Sequence, residues 1–167
     1  MLNCQSIRNK TDQLLDIIEE KKLDIFVMTE TWLKSGDIDV VSIRSTTPPN
    51  YTFHHVARES ESRGGGVAIV CRKQLQFKQS DPLTEAGSFE HISGVIPFNG
   101  TCIRVIAIYR VPPSTNNKIK KSDFLKDFSG LLEIVSTLPG KLVILGDFNL
   151  HLEDPSCLKS NSLNSCY

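Results

Sequence analysis

The sequence predicts an α/β sandwich, with sheets inside and helices outside. Two observations carry that expectation: a run of strand-like segments with mainly antiparallel connections fills the middle of the chain, and a helix with one apolar face stands on either side of it. A third is "KLVILG" at 141 to 146, an apolar run that reads as a strand buried on both sides.

The elements follow in order. After Ser6, a suitable helix cap, the stretch to Lys22 places Leu14, Leu15, Ile17 and Ile18 at helical spacing. "LDIFVM" at 23 to 28 is then a short buried strand that runs directly into "TETW". Beyond a turn-rich stretch around Pro48 and Pro49 come strands at "YTFHH" (51) and "GVAIVCR" (66), then the pair "SFEHISGVIPF" and "TCIRVIAIYR". That pair meets at Asn99-Gly100, the dipeptide suited to the positive backbone angles of a tight hairpin turn. Pro112 and Pro113 end the second strand. Ser122-Asp123 is the next predicted cap, opening a helix to Leu138 that carries Phe124, Phe128, Leu131 and Val135 on one face and stops at Pro139-Gly140.

At 167 residues and 40% apolar, the chain can build one core and is short for two, so one domain, or part of one, spanning 1–167 is expected. Lys+Arg and Asp+Glu both number 19, and no net field draws the chain to nucleic acid or an anionic membrane. Polyanion binding would need a local cluster or a bound cation. Lys118, Lys120 and Lys121 form the densest basic group, readable as a solvated loop or as a phosphate contact. The five cysteines, Cys4, Cys71, Cys102, Cys157 and Cys166, are odd in number and scattered, as free thiols in a reducing compartment would be. The polar start "MLNCQSIRNK" does not read as a secretory signal, and no apolar run reaches the ~18 residues that cross a bilayer. An intracellular, soluble protein is expected, with no membrane association and no obligate protein partner inferable.

Four clusters place a polar group just past an apolar strand, where loops can build a site on a rigid base: Asn3, Glu30, Tyr109 with Arg110, and Asp147 with Asn149. Each has a plain reading when taken singly. Asn3 fits a frayed terminus, Glu30 a solvated acid at a turn, and Tyr109 an edge aromatic. Asp147 and Asn149 alternate with Phe148, so they project to one side if the strand continues, yet they also serve as strand-to-turn punctuation. The glycines Gly64 to Gly66 are followed by a strand and by no Lys-Ser/Thr, which excludes a P-loop and favours a tight approach into a core strand. His54, His55 and His91 lie in strand-like segments and read as packing or surface residues rather than ligands.

The joint order is more specific than any one motif. Asn3-Cys-Gln-Ser, "TETWL" at 29, "RGGGVAI" at 63, "IYR" at 108 and "GDFN" at 146, followed by His151, resemble the endonuclease/exonuclease/phosphatase superfamily. The similarity is nearest to the endonuclease domains of LINE-type non-LTR retrotransposons and spans almost the whole chain. It implies a four-layer α/β sandwich of the DNase I-like kind. It also implies Mg²⁺-dependent phosphodiester hydrolysis, a nicking of DNA that leaves a 3′-hydroxyl. By the same resemblance, Glu30 and Asn3 hold the metal, Mg²⁺ or alternatively Mn²⁺, and Asp147 orients or deprotonates the attacking water. Asn149 bonds the phosphate or that water, and Tyr109 and Arg110 contact the substrate. Glu90 matches a position that often carries Glu. Nuclear access follows from chromosomal DNA as partner.

The pattern departs from the family at its ends. Its Asp-His pair at the carboxy terminus has no match here, since no histidine follows His151, and His151 lies too close to Asn149 to take that role. The first strand is reduced to Met1-Leu2, and the last strands of the second sheet are absent. A domain incomplete at both ends and impaired in turnover is therefore expected. The alternatives are an inactive retrotransposon-derived fragment or binding module, or the same catalysis on a phosphoinositide or sphingolipid.

Overall fold

The computed structural model describes residues 1–34, 39–57, 64–113 and 118–150. Arg63 and His151, with Cys157 and Cys166, lie outside the described residues. In chain order the elements are β1 (Leu2–Asn3), α1 (Thr11–Glu20), β2 (Ile25–Thr29), α2 (Val40–Thr46), β3 (Tyr51–Val56) and β4 (Val67–Arg72), then β5 (Lys78–Gln79), β6 (Phe89–Phe98), β7 (Thr101–Arg110), α3 (Lys121–Ser136) and β8 (Lys141–Asp147). They form two four-stranded sheets, ordered β1-β2-β4-β3 and β5-β6-β7-β8. Each is antiparallel except at one edge, where β1 runs parallel to β2 and β8 parallel to β7.

Strand periodicity explains how two sheets make three cores. Along β2 and β4, Phe26, Met28, Ala68 and Val70 face outward onto Leu14 and Ile18 of α1, while Val27, Val67, Ile69 and Cys71 face the other sheet. Along β7, Val105, Ala107 and Tyr109 face that same inter-sheet layer, and Ile106 and Ile108 turn to Phe124, Leu131 and Val135 of α3. The order is thus helices, sheet, sheet, helix, the four-layer sandwich expected. Each fully buried aliphatic contributes about 1.5–3 kcal/mol. The Asn99-Gly100 turn forms as expected, with φ 46° and 76°.

Several local expectations are corrected. Ser6 is no helix cap: it has φ 81° and its N–H donates to the Glu30 carbonyl, so the residues before α1 are stitched to the loop after β2 and the helix starts at Thr11. Likewise α3 begins at Lys121, one residue before the predicted cap. Asp123, inside its first turn, accepts the Lys120 N–H at 2.9 Å. Its end comes at Ser136, two residues short of Leu138. α2 has no counterpart among the predicted elements, and "VVSIRST" is rich in β-branched residues that favour helix weakly. Packing overrides propensity there: Ile43 joins the core beneath α1 and Thr46 is buried.

β8 is not buried on both sides. Leu142 and Val143 are 42% and 38% exposed. The strand pairs with β7 alone and is an edge of its sheet among the described residues. Only its second half, from Ile144, lies under α3 and against the other sheet.

Candidate active site

The ends of four strands meet at one end of the sandwich. Parallel pairing sets Asn3 opposite Thr29 and Tyr109 opposite Asp147, and Glu30 follows Thr29 directly. Face-to-face packing of the sheets then joins the two pairs. Asn3 Nδ2 donates to Glu30 Oε1 at 3.1 Å and to Asp147 Oδ2 at 3.0 Å. The Tyr109 hydroxyl, on a ring 3% exposed, donates to Glu30 Oε1 at 2.8 Å. Two carboxylates from different sheets therefore share one amide nitrogen. Among the described residues, no lysine or arginine bonds either of them.

Asn149 is placed differently from the alternation argument. β8 ends at Asp147 and Asn149 has φ 44°, so the strand geometry that would aim both side chains one way is lost. The Asn149 N–H donates to Asp147 Oδ1 at 3.2 Å, a local turn that fixes the carboxylate, while its Nδ2 donates to the Arg110 carbonyl at 2.6 Å. Arg110 reciprocates. Its Nη1 donates to the Asn149 carbonyl at 2.8 Å and its guanidinium lies 5.3 Å from the centroid of the Phe124 ring. Arg110 is 2% exposed, and these bonds tie it to the turn behind Asp147.

Backbone strain gathers at the site. Gln5, Ser6, Glu30, Trp32 and Asn149 all have positive φ, which side chains other than glycine adopt at a cost. Hydrogen bonds hold those angles: Ser6 and Ile7 N–H groups donate to the Glu30 and Thr31 carbonyls from one side, and Thr31 and Trp32 N–H groups donate to the Gly66 and Gly65 carbonyls on the other. The glycine run approaches closely, as expected. A Cβ on Gly66 would sit 2.4 Å from Thr31 Oγ1. Gly146 does comparable work beside Asp147, since its Cβ would lie 2.3 Å from the Ile108 carbonyl oxygen. That constraint has one trace in the sequence, a glycine directly before the acid.

Burial pushes the Cys4 thiol up to about 12; Lys10 offsets this in part and Glu30 adds to it. Cys4 is thereby held as the thiol, which is a weak nucleophile. The three described histidines lie on β3 and β6. The cavity of about 490 Å³ is elsewhere: Ile25, Val27, Ile103, Val105 and Leu145 line it, at the opposite ends of the strands that carry the site.

A family model described as the endonuclease/exonuclease/phosphatase family matches residues 2–164. The chain belongs to that family. Solved structures share the fold. The 3′ phosphatase NExo from Neisseria, bound to product DNA hairpin, is 19% identical with a TM-score of 0.63, over 89% of this chain and 56% of its own. TDP2 from D. rerio, complexed with single strand DNA product, is 14% identical with a TM-score of 0.57, over 86% and 55%. The human Nocturnin catalytic domain with bound sulfate anion is 13% identical with a TM-score of 0.54, over 98% and 68%. The chain spans a little over half the length of the first two. No curated protein matches it.

Members of this family generally use divalent metals. Among the described residues there is no group of three or more His, Cys, Asp and Glu that could cage an ion. What the site offers is a hard, all-oxygen set: the Glu30 and Asp147 carboxylates and the Asn3 amide. The Asn3 Nδ2 donates to both carboxylates at once, as a small cation between them would attract both. Such a set fits a cation that keeps several waters. Among the described residues no helix is long and apolar enough to cross a membrane.

Proposed function

We propose that the chain carries the centre of a metal-dependent phosphodiesterase, a DNA-nicking endonuclease of the LINE retrotransposon type. Family membership supports phosphoester hydrolysis. The observation that carries the assignment to these residues is the Asn3 amide bonded to Glu30 on one sheet and Asp147 on the other. Glu30 and Asn3 would hold a hydrated Mg²⁺, or Mn²⁺ in its place, with Asn3 turning its amide to present Oδ1. When bound, the ion supplies charge stabilisation at the scissile phosphate and at the leaving oxygen.

The remaining work falls to the protein. Asp147 accepts the proton of the attacking water, and the Asn149 N–H on its Oδ1 keeps that carboxylate in one orientation. Tyr109 holds Glu30 through Oε1, so the metal-facing oxygens start in place, and Arg110 fixes the turn that carries Asn149. Positioning of this kind accounts for much of the rate. DNA as substrate is supported by two neighbours solved with DNA products, NExo and TDP2, and the retrotransposon assignment rests on "TETWL" and "GDFN".

Supercoiled plasmid with Mg²⁺ tests it. Nicked circles are expected, with Asp147→Ala lowering the rate by about 10²–10⁴-fold and Glu30→Ala abolishing it. Intact plasmid at high protein concentration, with DNA still bound, would overturn the catalytic assignment in favour of a binding module. Hydrolysis of a phosphoinositide with plasmid untouched would overturn the DNA substrate alone.

A further inference from the structure

We propose that Glu90 is a positioning residue that clamps the glycine strap Gly64–Gly66 and, through it, holds Glu30 in its strained backbone conformation. The inference rests on the reading of Glu30 as a metal-holding residue and adds a residue to that site. Glu90 lies on β6 opposite Tyr109 on β7, so it belongs to the sheet that carries Tyr109 and Asp147. Its Oε2 accepts the Gly66 N–H at 2.5 Å, reaching across to the strap that leads into β4 of the other sheet. Gly66 and Gly65 in turn accept the Thr31 and Trp32 N–H groups at 3.3 and 2.9 Å.

All three glycines have positive φ, a conformation with high entropy to lose on ordering, and Gly66 lies against Thr31 with no room for a side chain. A carboxylate accepting a backbone N–H makes a charge-assisted bond, among the stronger kinds available. The sequence of contacts Glu90, Gly66, Thr31, Glu30 therefore forms a third link between the sheets at the site, beside Tyr109 to Glu30 and Asn3 to Asp147. Only the first of its links depends on a side chain. What the clamp needs is an acceptor at that place, so Gln should substitute and Ala should not.

The test compares Glu90→Ala and Glu90→Gln by two measurements on the full chain, after thermal melting confirms that both fold. Amide hydrogen exchange at Gly66, Thr31 and Trp32 reads the strap directly. Fluorescence of Trp32, the single tryptophan, reads Mn²⁺ affinity beside Glu30. Glu90→Ala should speed exchange at all three amides by at least tenfold and weaken Mn²⁺ about 10–100-fold, the range for outer partners of metal ligands. Glu90→Gln, which keeps the acceptor without its charge, should lose clearly less than Glu90→Ala in both. Unchanged exchange in Glu90→Ala, or equal losses in Ala and Gln, would overturn the clamp. So would faster exchange with native Mn²⁺ affinity. Failure of the native chain to bind Mn²⁺ would overturn the proposed function instead, and the exchange rates would still decide whether Glu90 holds the strap.

Discussion

Tyr109 sets one buried hydroxyl on the Glu30 carboxylate. Its ring packs between the sheets and its oxygen meets Glu30 at 2.8 Å, so Tyr109→Phe should leave folding nearly unchanged and lower nicking by about 10–100-fold by freeing one carboxylate. A plasmid assay beside a urea melt checks both halves, and equal loss in activity and stability would mark the residue as structural only. Arg110 behaves oppositely. Removing its guanidinium in Arg110→Met leaves the Phe148 and Asn149 carbonyls without a buried donor, a destabilisation of about 1–3 kcal/mol in urea unfolding. The residue types were legible in the sequence because acids and amides stood past apolar strands. The direction of Asn149 was not, since period-2 alternation holds only while a strand lasts, and β8 stops at Asp147. The burial of Arg110 was equally hidden, because its partners are backbone carbonyls that leave no mark on residue identity.

Among the elements, strands and helices with a clean apolar period were readable, and those fixed by contacts distant in the chain were not. The β6–β7 hairpin follows from Asn99-Gly100, whereas α2 has weak helix formers and owes its shape to burial of Ile43 and Thr46. Ser6 has the chemistry of a cap, but its backbone is engaged by Glu30. β8 read as fully buried because apolar composition reports hydrophobicity, and it cannot report how many neighbours a strand has. Gly146 is the element's tightest point. Gly146→Ala would press a methyl on the Ile108 carbonyl and push the end of β8 off β7, carrying Asp147 with it. The variant should lose about 1–3 kcal/mol by overpacking and lose nicking beyond what stability explains. Nicking by the folded variant at the native rate would show that Asp147 does not depend on that contact.

At the scale of the whole molecule, protonation and metal binding report on the sandwich as a unit. Burial holds His54, His55 and His91 below the ordinary imidazole value, so the unfolded chain takes up protons where the folded chain does not. Stability from this source is present above about pH 6.5 and falls as pH drops from there through the folded values. Asp39, depressed by its hydrogen bond to Arg8, adds a second loss at more acid pH, as its folded value is crossed. The urea midpoint should therefore be lower at pH 5 than at pH 7.5, and a flat profile would show that the histidines are not buried neutral. The most direct measurement for the site itself is anomalous diffraction from crystals soaked in Mn²⁺. One peak is expected within coordination distance of Glu30, with the Asn3 amide turned toward it. A chain that crystallises in this fold with no peak there, or with its peak at another cluster, would contradict a metal centre at Glu30 and Asn3.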